Sequence, residues 1–359
     1  MTLTTSLESG PEYNKIPITN LIFIALIPGV FALILFFGWG SLLNIAVSSI
    51  AALIFEALIL KLRKRAVISH LKDHSVLLTA VLLAISLPPL TPWWIPVIGV
   101  FFSVVIAKNL YGVHGYHPFN PAMVGYAVLL ISFPIQMTAW PAPVSMDLTG
   151  IEAPGLWQSV KIVFPFFNFD TANTLNQVDA YTAATPLDVF KQNSSLMVDR
   201  LYSGQLYFTE GIWAGYGWEW INICFFLGGC LLLYKKILTW HIPFGILGSL
   251  IILSSVFYDS GSSLSLGSPI FHLFSGATML GAFFIASDPV TSPNSYRGKL
   301  LYGTLIGILI FIIRSWGGYP DAMAFAVLIM NFFSPLIDRL TRIKAVSYTH
   351  LTLPTILRV

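Results

Sequence analysis

Residues 20–65 read NLIFIALIPGVFALILFFGWGSLLNIAVSSIAALIFEALILKLRKR, and this stretch decides the fold class. It contains two apolar runs, 20–39 and 41–60, and Glu56 is the only ionisable residue ahead of Lys61. A hydrocarbon layer about 30 Å thick is crossed by roughly 20 apolar residues in a helix. The stretch therefore predicts two membrane-spanning helices in succession.

The whole chain has the composition of a membrane protein. Of its 359 residues, 56% are hydrophobic and 10% are charged, whereas a soluble domain carries roughly a quarter charged residues. The mean hydropathy is +0.77. Nothing in the net charge of +3 suggests nucleic-acid binding, which would call for a basic face or stripe. The two cysteines, Cys224 and Cys230, share one apolar run, which excludes a disulfide framework and a cysteine-built metal site.

Further apolar runs of the same kind follow along the chain. Since every backbone polar group inside the hydrocarbon has to be bonded within its own segment, each run is expected to be helical. We therefore predict an all-α integral membrane protein with about ten transmembrane helices, at residues 20–39, 41–60, 75–90, 93–110, 119–139, 212–234, 239–258, 269–287, 300–316 and 321–338.

Basic residues predict the orientation of these helices, because cytoplasmic loops carry an excess of lysine and arginine. With the N-terminus in the cytoplasm, fifteen of the nineteen basic residues fall on that side. Both chain ends are then cytoplasmic, and no signal peptide is expected. The predicted domains are a cytoplasmic N-terminal segment, a five-helix repeat, a long periplasmic loop, a second five-helix repeat, and a tail that resembles translated sequencing-adapter sequence: 1–19, 20–140, 141–211, 212–344 and 345–359.

An internal similarity relates the two five-helix units. The fourth and fifth helices share ordered residues with the ninth and tenth: Ile98-Gly99, Lys108 and Ala122-Met123 against Ile306-Gly307, Arg314 and Ala322-Met323. Both final helices are expected to end at a proline, Pro134 and Pro335. Because the two copies run in opposite directions, the halves are predicted to be inverted repeats, an arrangement that places a ligand or ion site near the midplane.

Two threonine segments are the candidate sites of chemistry. Residues 182–188 lie in the long loop, and residues 275–278 lie within the eighth predicted helix. Pro186 favours an extended conformation for Thr185 and so presents its hydroxyl, although a surface turn is the alternative. Thr278 has a second explanation in close helix packing, with its hydroxyl bonded to the previous turn. No triad of nucleophile, base and acid and no GxxxxGK loop occurs.

Several motifs, spread along most of the chain, occur in the same order as in a known family: Phe37-Gly38-Trp39-Gly40, Phe119-Asn120-Pro121, Ala184-Thr185-Pro186-Leu187-Asp188, Ser275-Gly276-Ala277-Thr278 and Asp288-Pro289-Val290. The chain resembles the family that unites the D subunits of Rnf/Rsx electron-transport complexes with the B subunits of sodium-pumping NADH:quinone reductases. This resemblance implies a bacterial inner-membrane protein that passes electrons in transport coupled to Na⁺ or H⁺ translocation, as part of an oxidoreductase active only within its complex.

The resemblance also implies cofactors. In the family an FMN is attached through its phosphate to a loop threonine, which falls on Thr185, with Thr182 and Asp188 in the same motif. This sequence departs from the family at Ala183, where glycine is common. Thr278 is not the expected acceptor, since a transferase outside the membrane could not reach it. A second, non-covalent flavin, riboflavin in the quinone reductase, is expected near Gly276.

The resemblance further implies a cation pathway and partners. Glu56 and Asp338 are similar to acids linked to cation uptake, and the alternative for both is an ion pair that anchors a helix end. Asp288 and Asp321 are expected to be helix caps. Arg314 pairs either with Asp321 or with a flavin phosphate. The implied partners are other flavin- and iron-sulfur-containing subunits, a flavin transferase and the lipid bilayer.

Two other functions remain alternatives. A secondary transporter or channel fits the inverted repeat equally well and predicts no bound flavin. A structural membrane scaffold predicts that replacing Thr185 changes nothing.

Overall fold

A computed structural model describes residues 18–67, 71, 74–110, 117–144, 146, 154–167, 181–193, 196–259, 262 and 265–341. Nearly all of the predicted N-terminal segment, the whole predicted non-native tail and much of the long loop lie outside these residues. Within them the regular structure is helical, and the only β-type pairing is an isolated antiparallel bridge between Pro141 and Thr182. The all-helical prediction is therefore confirmed for the described residues.

In chain order the helices are α1 (Ile18–Phe37), α2 (Gly40–Leu62), α3 (Ser75–Ser86), α4 (Trp94–Val100, continued by a π-helix over Phe101–Leu110), α5 (Pro121–Ser132), α6 (Pro134–Thr138), α7 (Leu156–Val163), α8 (Pro186–Gln192), α9 (Val198–Gly204), α10 (Leu206–Thr209), α11 (Trp218–Tyr234), α12 (His241–Val256), α13 (Pro269–Phe274), α14 (Thr278–Leu280, continued by a π-helix over Gly281–Ile285), α15 (Tyr296–Trp316) and α16 (Met323–Thr341). A 3₁₀ turn at Pro165–Phe167 follows α7.

Four helices are long and apolar enough to cross a membrane, namely α1, α2, α15 and α16. Their bounds lie within four residues of the predicted runs. Five further predicted spans coincide with shorter apolar helices, namely α3, α4, α5, α11 and α12. The remaining predicted span, 269–287, is not one continuous helix, because the helix is interrupted between Phe274 and Thr278.

Prolines account for two other departures from the predicted bounds. The fifth predicted span divides at Phe133, where Pro134 opens the short helix α6. Pro335 lies inside α16, so the expectation that this helix ends there is wrong. A proline removes one backbone bond, and buried Ser334 and Ile337 hold the helix on both sides of it.

The sixth predicted span begins later than expected. Helix α11 starts at Trp218 rather than at residue 212. Gly215 and Gly217 have φ angles of +116° and +83°, a left-handed region that favours glycine and is incompatible with a helix. The residues before Trp218 therefore form a turn ahead of α11.

Helices α1–α6 with the residues up to Ala142 are termed the first helical unit, and α11–α16 the second; together they pack around one shared core. α1 packs along α11, α12 along α15, and α5 contacts both α4 and α16. Buried residues from Ala25 to Ile337 belong to the same apolar cluster. Burial of each apolar side chain stabilises this arrangement wherever the surface would otherwise contact water, and close packing stabilises it within lipid.

Candidate functional site

A cavity lies between the two helical units and beside the described part of the long loop. The space among its lining residues amounts to about 1020 Å³, a figure that includes the open solvent at its mouth. Its wall is mostly apolar, and its aromatic members come from both units: Tyr126, Trp140, Trp218, Phe225 and Tyr319. The few polar groups in this wall include Thr185, Asp188 and Asp321.

Thr185 lies at the N-terminus of α8 and lines the cavity. Its backbone is extended, with φ −70° and ψ 161°, as Pro186 predicts. The hydroxyl donates to Oδ2 of Asp188 at 2.6 Å and accepts from the Asp188 backbone N–H at 3.2 Å. The Thr185 N–H donates to the same carboxylate at 3.1 Å. This reciprocal capping box fixes the hydroxyl relative to the carboxylate.

The segment before Thr185 is bonded to the first helical unit. The Ala183 N–H donates to the Trp140 carbonyl at 2.9 Å, and the Ala142 N–H donates to the Tyr181 carbonyl at 3.0 Å. Thr182 lies between these bonds in the bridge to Pro141 and is not part of the cavity wall. The prediction that Thr182 belongs to the cofactor site therefore depends only on its closeness in sequence to Thr185.

The segment after Thr185 is bonded to the second helical unit. Lys191 Nζ donates to the Tyr319 carbonyl at 2.9 Å and to the Ile313 carbonyl at 3.4 Å. An ammonium is favourable here because it lies near the C-terminal end of α15, where the helix dipole favours a cation. Burial lowers the pKa of Lys191, and the charge of Asp188 opposes that shift.

The broken helix between α13 and α14 forms another part of the wall. Gly276, at the break, has φ +56° and lines the cavity. At the break, backbone N–H and carbonyl groups lose their partners within the helix. The side chain of Asn222 from α11 supplies new partners for three of them. Its Nδ2 donates to the carbonyls of Phe274 and Gly276, both at 2.9 Å, and its Oδ1 accepts from the Met279 N–H at 3.1 Å.

Arg314 stabilises the same break from α15. Its guanidinium donates to the His272 carbonyl at 2.8 Å and to the Thr278 hydroxyl at 2.9 Å. It also pairs with Asp321 at 3.1 Å, the only ion pair among the described residues. Asp321 and a flavin phosphate were the two partners predicted for Arg314, and in the structure Arg314 pairs with Asp321.

Of the two predicted helix caps, Asp321 lies at the start of α16, whereas Asp288 caps a turn and not a helix, since α15 begins at Tyr296 with Ser295 as its capping residue. Asp321 accepts from the Ala322 N–H at 2.8 Å, just ahead of α16, and its second oxygen accepts from the Ala277 N–H at 2.9 Å. Asp288 accepts from the Val290 N–H and the Thr291 hydroxyl, each at 3.2 Å. Asp321 therefore ties the start of α16 to the broken helix.

Thr278 differs from Thr185 in its surroundings. It is fully buried, at 0% exposure. Its hydroxyl faces the carbonyls of His272 at 3.0 Å and Ser275 at 2.9 Å, and it accepts from Arg314. The hydroxyl of Thr278 is thus engaged in the packing of the broken helix.

The two acids of the predicted cation pathway lie apart from the cavity wall. Glu56 is buried and accepts from Asn109 Nδ2 at 2.7 Å, while Arg63 donates to the Asn109 carbonyl at 2.6 Å. Half-buried Asp338 accepts from the backbone and side chain of Asn294 at 2.9 and 3.1 Å. Among the described residues neither acid forms the ion pair considered as its alternative.

Two site residues were missed by the sequence analysis. Asn222, which holds the broken helix, lies inside an apolar run. Glu219 is buried, and its carboxylate accepts from the backbone N–H groups of Ile212, Trp213 and Ala214 at 2.9–3.3 Å, which fixes the turn ahead of α11. A polar or acidic residue in such a run is expensive in a membrane and is a usable signal for both.

The chain matches known proteins over most of its length. A model of the NQR2, RnfD, RnfE family matches residues 12–347. The chain is 50% identical over 322 residues to the D subunit of the ion-translocating oxidoreductase complex of Cellvibrio japonicus, which is 89% of this chain and 88% of that protein. The proteins of the same name from Escherichia coli O17:K52:H18 and Citrobacter koseri are each 47% identical, over 90% of this chain and over 91% and 93% of their own lengths.

Proposed function

The chain belongs to the NQR2, RnfD, RnfE family, and we propose that it is the D-type membrane component of an Rnf-type ion-translocating oxidoreductase complex, in which it passes electrons through a covalently bound FMN. The relatives named above support the assignment to such a complex. The observation that carries the flavin assignment is the position of Thr185 in the wall of a cavity lined mostly by apolar and aromatic side chains.

The residues of the cavity fit a flavin. A flavin needs an apolar slot for its ring system, and the wall offers Tyr126, Trp140 and Trp218 for that purpose. The phosphate end needs a hydroxyl at the polar part of the wall, and Thr185 lies there. The hydroxyl of Thr278 is buried in packing, which supports the choice of Thr185 over Thr278 as the acceptor.

Each part of this site has a role that the chain itself performs. Thr185 would hold the cofactor, and a tether keeps its effective concentration high. The aromatic wall would exclude water from the ring system. The bonds from Ala183 to the first unit and from Lys191 to the second hold the tether in place. A bound flavin supplies exchange between two-electron and one-electron carriers.

We propose the finer architecture on the packing of the helices. With ten spans in two inverted repeats, 20–140 and 212–344, α2 would correspond to α12 and α4 to α15. In keeping with this, α2 contacts α4 and α12 contacts α15. The same relation would pair α4 and α5 with α15 and α16, and these pairs are in contact as well. The loop 141–211 would be periplasmic, and segment 1–19 and the end of the second repeat at residue 344 would lie on the cytoplasmic side of a bacterial inner membrane.

The proposal includes the remaining partners and ions. Other flavin- and iron-sulfur-containing subunits would exchange electrons with this chain, and a flavin transferase would load Thr185. Glu56 and Asp338 would belong to the path of Na⁺ or H⁺. A non-covalent second flavin near Gly276 remains part of the proposal, and Gly276 lines the same cavity as Thr185.

In-gel flavin fluorescence of the denatured chain tests the central proposal. The full chain is expressed with a flavin transferase as wild type, Thr185→Val, Thr278→Val and Thr182→Val. Valine keeps the shape of threonine and removes the hydroxyl. We expect fluorescence in the wild type and Thr278→Val chains, weaker fluorescence in Thr182→Val because Thr182 belongs to the attachment motif, and none in Thr185→Val.

Other results would contradict the proposal in different ways. Fluorescence lost only in Thr278→Val would place the tether in the membrane and overturn the choice of Thr185. A wild-type chain without covalent flavin would favour the transporter or channel alternative, for which flux through the reconstituted chain is the measurement.

A further inference from the structure

The cavity wall contains a carboxylate bonded to the hydroxyl that the proposed function modifies. Oδ2 of Asp188 lies 2.6 Å from Oγ1 of Thr185, with the hydroxyl as donor. Both residues line the cavity, and both are half-buried rather than sealed in the core. A donor molecule at the mouth of the cavity would therefore meet the hydroxyl and the carboxylate together.

We propose that Asp188 is the catalytic base for its own chain's flavin attachment, receiving the proton of the Thr185 hydroxyl as the ester bond forms. This inference rests on the proposed function, since it requires that Thr185 is the acceptor. It assigns to the chain a chemical part in the transfer reaction, in addition to its role as the acceptor.

The hydrogen bonds at Oγ1 suit this step. The Asp188 backbone N–H occupies one lone pair of the oxygen at 3.2 Å, and the hydroxyl proton points to the carboxylate. The other lone pair is left for attack. A base within hydrogen-bond reach of the proton it removes is the first geometric requirement of general base catalysis.

The step balances with a flavin dinucleotide as the donor, presented by the transferase. Oγ1 of Thr185 forms a bond to the phosphorus on the flavin side of the pyrophosphate. The bond from that phosphorus to the bridging oxygen breaks, and AMP leaves with the electron pair. The hydroxyl proton passes to Oδ2 of Asp188, and nothing is oxidised or reduced.

A structural role for Asp188 is the alternative that the experiment has to separate. In a capping box the acidic residue at the third helical position accepts from the backbone N–H of the capping residue without any chemistry, as Asp188 does here from Thr185. An asparagine at this position keeps an acceptor oxygen for that bond but cannot take up a proton. Asp188→Asn therefore separates the two roles.

The experiment measures the initial rate of flavin attachment to the purified full chain, made without transferase and then incubated with transferase and FAD. Covalent flavin is followed by intact mass and released AMP. General base catalysis contributes about 10²–10⁴-fold, so Asp188→Asn is expected to be at least about 100-fold slower than wild type. Asp199→Asn, an exposed acid in the first turn of α9, is the matched control and is expected to keep the wild-type rate.

A second variant tests the chemistry directly. Asp188→Ala opens a space beside Oγ1 that formate can occupy, and added formate is expected to restore part of the rate whereas equal chloride is not. An Asp188→Asn rate equal to wild type would overturn the proposal. A slow Asp188→Ala that formate does not accelerate would also overturn it, leaving Asp188 as a cap. No attachment to wild type under any condition would instead refute the proposed function.

Discussion

Asp321→Asn is expected to destabilise the protein strongly, because it leaves the Arg314 guanidinium without its counter-charge. The side chain of Arg314 is 1% exposed and that of Asp321 is 25% exposed. Removing one partner of a buried ion pair costs about 3–5 kcal/mol. Because water screens the exposed quarter of Asp321, we expect the lower end of that range, about 3 kcal/mol.

The reverse substitution and the double variant separate the charge from the packing. Arg314→Met removes the charge but also removes the donors to the His272 carbonyl and the Thr278 hydroxyl. Since the two residues are in contact, their effects should not add. The double variant is expected to be more stable than the sum of the two single effects by about 0.5–3 kcal/mol, the usual range for contacting residues.

Thermal unfolding in detergent with a thiol-reactive dye measures these effects. Cys224 and Cys230 are free and partly buried in α11, so unfolding exposes both. At roughly 2–4 °C per kcal/mol, Asp321→Asn should lower the Tm by roughly 6–12 °C. Asp199→Asn is the control for loss of an acid. A Tm for Asp321→Asn equal to that of Asp199→Asn, or strict additivity in the double variant, would refute the reasoning.

Two further predictions concern the cavity and the cation path. In Gly276→Ala the new Cβ would lie 2.7 Å from Leu187 Cδ1 and 2.8 Å from Asp321 Oδ2, at a left-handed φ that costs about 1–2 kcal/mol. We expect a lower Tm and less flavin on Thr185 than in Gly318→Ala, whose Cβ meets nothing within 4 Å; equal flavin in both would contradict it. Glu56→Gln keeps an acceptor for Asn109, so the Tm should hold while cation uptake by the complex in proteoliposomes falls. Unchanged cation uptake would indicate that Glu56 only anchors the end of α2.

The long apolar helices were predictable from hydropathy alone. The bounds of α1 and α2 lie close to the predicted runs, because a run of about 20 apolar residues has few alternatives in a bilayer. The extended conformation of Thr185 was also predictable, since the restriction comes from the neighbouring Pro186.

The broken helix was not predictable from its own residues. Segment 269–287 is largely apolar, and its break depends on groups supplied from elsewhere in the chain: Asn222 from α11 and Arg314 from α15. Hydropathy averages over a window and cannot report a bond between residues far apart in the sequence. The φ of +56° at Gly276 is held by that long-range support.

Local sequence also could not predict that Thr185, Asp188 and Gly276 line one cavity. The sequence marked each of them as a site residue, but assigned Gly276 to a different flavin from the one on Thr185. Their proximity depends on the docking of α8 against the second helical unit, to which Lys191 is bonded. No local pattern in residues 182–188 carries that information.

The composition of the cavity wall also determines the order of events during biosynthesis. Its residues run from Leu33 to Ala324, so the wall is incomplete until nearly the whole second unit has left the ribosome and entered the bilayer. Thr185 is made well before the broken helix and α16, which close the cavity around it. A nascent chain therefore contains Thr185 before the cavity wall is complete, and a chain truncated before α16 would lack the part of the wall that Met323 and Ala324 supply.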